Sequence, residues 1–134
     1  EPANLMMTWD EIRQLKSEGI QIGSHSVSHP PLATIEDEEE LKTELLNSAL
    51  RIKEMINEFP STISYPVGSY DSRVKRISGE VGYQLGLAVN QKIFDTDRDD
   101  RFEIPRIELY NENMLKARMR ITGLYGKIKR LAGR

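Results

Sequence analysis

The sequence predicts an α/β domain in which helices cover a parallel β-sheet. Three observations indicate this fold class. The chain has 134 residues, which suits one domain. Its charged fraction is 30% and its net charge only −2, as in ordinary globular proteins. Helical and strand patterns alternate along it, in an order typical of parallel sheets. Functional residues in such folds gather at the carboxyl ends of the strands.

Helical patterns account for most of the first half of the chain. Thr8 and Glu11 have the spacing of a capping box, which predicts a helix that Gly19 stops. Residues 20–24 alternate apolar with polar side chains and predict a strand. A long second helix is predicted within residues 34–59, because apolar residues recur there at helical spacing and acids precede cations.

The second half of the chain predicts three more strands and two more helices. The last strand is expected to be irregular, because a proline lacks the N–H that a sheet needs. Asp71 or Ser72 is predicted to cap the third helix. The predicted order begins with a strand at 62–66 and a helix from 71 to 79 or 82. Strands at 83–89 and 103–109 follow, with a polar loop at 90–101 between them. The last element is a helix from Glu112, which Gly123 and Gly126 interrupt.

Composition excludes several classes of protein. The chain has no cysteine, so a disulfide framework and a thiolate zinc site are excluded. No apolar run approaches the roughly 20 residues of a membrane span, and no signal peptide is visible. The overall charge gives no strong nucleic-acid or membrane signal. The chain begins at Glu1 instead of a methionine, which leads us to expect a processed protein or a piece of a longer one.

The two histidines of the chain lie four residues apart, directly after the first predicted strand. Pro30 and Pro31 follow them and make a helix through His29 unfavourable, so a strand-end loop is predicted. We call residues 25–31 the histidine loop. Such a loop can direct the imidazoles of His25 and His29 to one point, and neutral imidazoles bind zinc, cobalt, nickel and iron. Catalytic zinc usually takes three protein ligands. The alternative is that both are ordinary loop histidines.

Two segments together resemble a known family. In residues 7–32, "MTWDEIRQLKSEGIQIGSHSVSHPPL" is similar to the second motif region of the polysaccharide deacetylases, carbohydrate esterase family 4, with its NodB-type domain. The motif is a strand ending in H-[ST]-x-x-H-P, which the histidine loop satisfies. In residues 63–71, "ISYPVGSYD" resembles the third motif, a strand ending in a Pro-aromatic-Gly turn. The similarity runs from about residue 6 to about residue 109.

The resemblance implies a distorted (β/α) barrel, of which this chain is a part that lacks the first strand or strands. Members of this family remove N-acetyl groups from the amino sugars of polysaccharides, using a divalent metal. Carried over, His25 and His29 are metal ligands, with zinc expected first and cobalt or nickel as alternatives. The backbone N–H of Val67 is expected to bind the oxyanion. Substrate contacts are expected from Tyr65, Pro66 and Tyr70.

The sequence departs from the family pattern in several places. The first family motif, an Asp-Asp strand end that supplies the base and a metal ligand, has no counterpart before Met7. Ser64 and Val67 replace an arginine and an aromatic residue of the third motif, and no late histidine is present. Asp71 could substitute for the missing carboxylate, although a helix cap is the preferred role. Arg106 could act electrostatically at a strand end or pair with a nearby acid.

Three hypotheses follow for function. The first is a metal-dependent deacetylase domain for N-acetylated polysaccharide, present without its first motif and inactive alone. The second is a catalytically dead module that binds glycan or serves a structural role. The third is an interaction protein that uses its basic end. Missing early strands would expose sheet edges, so self-association is expected. The family resemblance implies a bacterial envelope or extracellular location.

Two further segments of the chain are rich in charged residues. Residues 95–106 begin like a calcium loop, but Asp100 and Arg106 stand where glycine and glutamate are needed, so a solvated loop is predicted. We expect residues 1–111 to form the deacetylase-like domain and residues 112–134 a basic helical segment that packs on it. The alternative for this segment is an amphipathic contact with anionic lipid, glycan or nucleic acid.

Overall fold

The computed structural model describes residues 6–90 and 92–124. Within them it contains helices and strands in an alternating order, as predicted. The helices and strands are α1 (Trp9–Ser17), α2 (Glu38–Ile56), β1 (Thr62–Ser64), α3 (Ser72–Val81), β2 (Leu85–Ala88), β3 (Ile104–Pro105) and α4 (Met114–Ile121), with short 3-10 turns at Leu32–Thr34 and Pro66–Gly68.

The three strands form one parallel sheet in the order β1-β2-β3. Ile63 lies beside Gly86, and Leu87 lies beside Ile104. On its other side β1 pairs with a single residue, Ser24, through a parallel bridge to Ile63. All four segments therefore run in the same direction, and their carboxyl ends lie along one edge. The predicted α/β class with a parallel sheet is confirmed.

The predicted strands are longer than those observed. The segment 20–24 forms a bridge at Ser24 alone, and the last strand is reduced to Ile104–Pro105. A strand needs hydrogen-bonded neighbours, and among the described residues segment 20–24 has one only on its β1 side. Pro105 has no N–H to extend the ladder. Self-association through the open edge stays a prediction.

Helix α2 supplies much of the core. It is capped by Asp37, whose side chain accepts from the Glu39 N–H, and it ends at Asn57 in a left-handed conformation (φ 55°). Buried side chains recur along one face of α2 and pack with α3 and the sheet. Helix α1 has no buried residue and is held to the end of α2 by polar contacts. The buried face of α2 comprises Leu41, Leu45, Ser48, Ala49, Ile52 and Ile56.

Tyr65 joins the sheet to the loop before β3. Its side chain has no exposed surface, and its hydroxyl donates to the Phe102 carbonyl oxygen at 2.9 Å. Burial raises the pKa of the Tyr65 hydroxyl well above its ordinary value. The ring crosses β2 at Gly86, where an added Cβ would lie 2.7 Å from the Phe102 oxygen and 2.8 Å from the Tyr65 ring. Only glycine fits beneath this ring.

The C-terminal part of the predicted basic segment is outside the described residues. Helix α4 carries Lys116, Arg118 and Arg120, and Arg120 pairs with Glu112 at 2.7 Å. The remaining cations, Lys127, Lys129, Arg130 and Arg134, fall in residues 125–134, of which the structure describes nothing. No helix among the described residues is long and apolar enough to cross a membrane.

Gly86 provides a test of this packing. We expect Gly86→Ala to lower the free energy of unfolding by about 3 kcal/mol, because the new methyl group collides with backbone and with a buried ring. Urea denaturation measures the change. Gly79→Ala is the matched control. Its Cβ would lie 3.4 Å from the Phe102 ring, an ordinary contact, and helix propensity favours alanine by up to about 1 kcal/mol. Equal losses in the two variants would contradict the packing described.

Candidate metal and substrate site

The predicted site residues lie at the carboxyl edge of the sheet. The Ser24 N–H donates to the Thr62 carbonyl at 2.8 Å, and the Ser64 N–H donates to the Ser24 carbonyl at 2.9 Å. These two bonds fix the start of the histidine loop beside the end of β1. The Ser24 hydroxyl is buried and lies 2.8 Å from the Ser48 hydroxyl of α2. The loop is therefore attached to both the sheet and α2.

One ring nitrogen of His25 is hydrogen-bonded, and the other has no hydrogen-bond partner among the described residues. Its Nδ1 lies 2.6 Å from the Ser64 carbonyl oxygen. A carbonyl oxygen can only accept, so Nδ1 must carry the hydrogen. In the neutral ring Nε2 then has a bare lone pair, which is the form that binds a metal ion. The contact with Ser64 is thus the kind that orients a metal-binding histidine.

His29 returns to His25 through a strained loop. The two ring centroids lie 4.8 Å apart at an interplanar angle of 75°. Ser26 and His29 both have positive φ, 66° and 61°, a conformation that costs about 1–2 kcal/mol for a residue with a Cβ. The Ser26 hydroxyl accepts from the His29 N–H at 3.1 Å. The structure therefore brings the two predicted ligands together.

Glu44 of α2 holds the middle of the histidine loop, a contact that the sequence did not reveal. Its carboxylate accepts from the backbone N–H groups of Val27 and Ser28, each at 3.0 Å, and from the Ser28 hydroxyl at 2.8 Å. Partial burial by itself would raise the pKa of the Glu44 carboxyl. The hydrogen bonds from Ser28 and Val27 outweigh it and hold the pKa below its ordinary value. Glu44 is therefore ionised at neutral pH.

No third ligand joins the histidines within residues 6–90 and 92–124. No group of three or more histidine or acidic side chains there could hold a metal ion. Asp71 caps α3 by accepting from the Val74 N–H at 2.8 Å, and Arg73 lies 3.6 Å from its other oxygen. The predicted capping role of Asp71 is confirmed, and the structure does not bring its carboxylate to the histidines.

The turn after β1 is strained at the predicted oxyanion donor. We call residues 65–69 the proline turn. Val67 has φ 48°, which is rare for a β-branched residue, and its side chain is 71% exposed. Its N–H donates to no acceptor in the described part of the chain, whereas the Gly68 and Ser69 N–H groups bond within the turn. An N–H without such a partner, just after the end of a strand, is available for an oxyanion.

The predicted substrate contacts need correction at two positions. Tyr65 and Pro66 are fully buried. A side chain without exposed surface cannot touch a polysaccharide, so the predicted contact role for these two residues is wrong. The resemblance placed them by motif position, which carries no information on burial. Tyr70 is half-buried, stacks on Tyr65 with centroids 4.9 Å apart, and remains a predicted contact.

Three buried polar atoms lie at or just after the ends of the three strands and have no hydrogen-bond partner among the described residues. They are Ser64 Oγ in the last residue of β1, Asn90 Oδ1 after β2 and Arg106 Nε after β3. No described acid pairs with Arg106, so the salt bridge considered as its alternative role is not observed within that part of the chain. Buried polar groups are costly when unpaired, so these three atoms are candidates for contact with a polar ligand at this edge. Asn90 carried no motif and was missed.

Comparison with known proteins agrees with the sequence motifs. The sequence profile of the polysaccharide deacetylase family matches residues 2–86. The chain belongs to that family. The Bacillus subtilis protein YxkH, whose name also refers to polysaccharide deacetylation, is 27% identical over 81 residues. That match covers 60% of this chain and 29% of YxkH.

Solved structures show that this family member has the corresponding fold. The deacetylase PplD of Streptococcus pyogenes, solved in complex with acetate, matches with a TM-score of 0.74 at 23% identity over 81% of this chain. A de-N-acetylase from Aggregatibacter actinomycetemcomitans matches with a TM-score of 0.75 at 17% identity over 87% of it. The match covers 47% of the first structure and 54% of the second. The chain therefore spans about half of these TIM-like barrels.

The strain at Val67 can be measured in this deacetylase-family chain. We expect Val67→Gly to raise the free energy of unfolding by about 1 kcal/mol, because relief of the positive φ outweighs the added freedom of glycine and little apolar surface is lost. Urea denaturation measures this. Val27→Gly is the control, since Val27 is similarly exposed but is not among the residues with positive φ. It is expected to lose about 1 kcal/mol. Equal losses in both variants would show that Val67 is unstrained.

Proposed function

We propose that this chain carries the histidine half of a metal-dependent site that removes N-acetyl groups from polysaccharide. The observation that carries the proposal is the pair His25 and His29, whose rings lie together at the carboxyl edge of the sheet, with no hydrogen bond to the Nε2 of His25 from the described residues. Membership of the polysaccharide deacetylase family supports the substrate class.

The donor set fits a borderline divalent ion. Two neutral imidazoles suit zinc, cobalt or nickel, and zinc is the first choice. When bound, such an ion polarises a carbonyl group and lowers the pKa of a water molecule. His25 and His29 would hold it, with the Ser64 carbonyl fixing the tautomer of His25. A third ligand and a general base would be carboxylates from outside the described residues.

The chain's own groups have distinct tasks around the acetamide. The Val67 N–H, which has no acceptor among the described residues, would donate to the oxygen that becomes negative during attack. Arg106 brings a cation to the end of β3, and its Nε, unpaired within the described part of the chain, would bind a carboxylate or a sugar oxygen. Asn90 offers a side-chain carbonyl that can accept from an amide or hydroxyl of the sugar. Tyr70, half-buried and stacked on Tyr65, would contact a sugar ring.

The alternative, a glycan-binding module without catalysis, is favoured by one observation. Only two side chains of metal-binding type converge within the part of the chain that the structure describes. A glycan-binding module needs the polar side chains at the carboxyl edge of the sheet, and it does not need a metal ion. It would bind oligosaccharide equally well after His25→Ala, whereas the metal site would not survive that change. An envelope or extracellular location is the corresponding proposal for where either form acts.

Calorimetric titration of zinc into the chain tests the proposed site. We expect saturable binding that His25→Ala and His29→Ala each abolish, because one imidazole cannot hold the ion. Acetate release from N-acetylated oligosaccharide is then expected when the chain is joined to a segment that supplies paired aspartates. Zinc binding unchanged by both substitutions would contradict the proposed ligands. Absence of acetate release from such a completed, zinc-loaded protein would favour the glycan-binding alternative.

A further inference from the structure

Both carboxylate oxygens of Glu44 accept hydrogen bonds from the histidine loop. One oxygen, Oε2, accepts the two backbone N–H groups of Val27 and Ser28, and the other, Oε1, accepts the Ser28 hydroxyl. Both oxygens therefore point to the loop. Glu44 is not part of any group of three ligands with the histidines among the described residues. These contacts are those of a residue that shapes a loop, and not those of a metal ligand.

The histidine loop needs the contact with Glu44 because its backbone is strained on both sides of the two residues that Glu44 binds. Ser26 and His29 have positive φ and bracket Val27 and Ser28, the two residues whose amides Glu44 binds. Residues with a Cβ remain in this conformation only when surrounding contacts impose it. The chain reverses its direction between the two histidines, and this reversal brings the ring of His29 next to the ring of His25.

Helix α2 provides a rigid support for this contact. Glu44 lies next to Leu45 and three residues after Leu41, both fully buried. One turn further along α2, the Ser48 hydroxyl bonds the Ser24 hydroxyl. Two successive turns of the same helix thus hold the beginning and the end of the segment 24–28. The position of His29 is linked through them to the core.

We propose that Glu44 is a positioning residue for the metal site, holding the histidine loop so that His29 faces His25. The positioning role rests on the proposed function, because Glu44 would support the same two proposed metal ligands. Residues that orient metal ligands commonly change metal affinity by roughly 10- to 100-fold when removed. Glu44 acts through backbone amides instead of the ligand ring, so about 10-fold is expected here.

The test compares Glu44→Ala, Glu44→Gln and Glu40→Ala in the full chain, with zinc as the probe. Glutamine keeps a carbonyl oxygen that can accept both amides, so Glu44→Gln should retain most of the zinc affinity, whereas Glu44→Ala should lose about 10-fold. Glu40 is exposed on the same helix, and its side chain has no hydrogen bond or ion pair with the described residues, so Glu40→Ala should change nothing. Amide hydrogen exchange at Val27 and Ser28 should accelerate in Glu44→Ala alone.

Two zinc results would overturn the proposal. Unchanged affinity in Glu44→Ala would show that the loop does not need the carboxylate. Equal losses in Glu44→Ala and Glu44→Gln, with the Val27 and Ser28 amides still protected in Glu44→Gln, would show that the charge acts on the metal directly.

A nuclear Overhauser measurement separates this proposal from the proposed function. If the unsubstituted chain binds no zinc, the metal site fails, but the loop is still testable without metal. Contacts between the rings of His25 and His29 should be present in the unsubstituted chain and in Glu44→Gln, and should weaken in Glu44→Ala. Ring contacts that are unchanged in Glu44→Ala would overturn the positioning role.

Discussion

The site depends on one short parallel pairing, the bridge between Ser24 and Ile63. Its two hydrogen bonds place the end of segment 20–24 beside the end of β1, so that His25 meets the Ser64 carbonyl. The same edge continues through β2 and β3 to Asn90 and Arg106. Parallel strands bring their carboxyl ends together as a consequence of topology, which is why residues distant in sequence form one polar surface.

Local strain is concentrated at the same edge. The histidine loop and the proline turn contain three of the positive-φ residues other than glycine, namely Ser26, His29 and Val67. Each is unfavourable alone. In the histidine loop, Glu44 of α2 binds the two residues between Ser26 and His29, and Ser48 of α2 bonds Ser24 directly before the loop. Helix α2 thereby supports the strained backbone that brings the two histidine rings together.

Local patterns predicted the helices and the placement of the histidines well. The capping box at Thr8 and the helix cap at Asp71 were predicted from residue type and spacing, and both are present in the structure. Strand lengths were overestimated, because the extent of a strand depends on its neighbours in the sheet. Glu44 and Asn90 were missed because their roles arise from contacts across the fold. Tyr65 was misassigned for the same reason, since a motif fixes its position along the chain and not its burial.

The tautomer of His25 tests the central claim most directly. If the Ser64 carbonyl orients this ring for a metal ion, nitrogen-15 spectra of the metal-free chain will show that the neutral ring carries its hydrogen on Nδ1 and has a bare Nε2. Addition of zinc will then shift Nε2. A hydrogen found on Nε2 in the neutral ring would contradict the account, because the nitrogen assigned to the metal would be blocked and the contact with Ser64 would not exist.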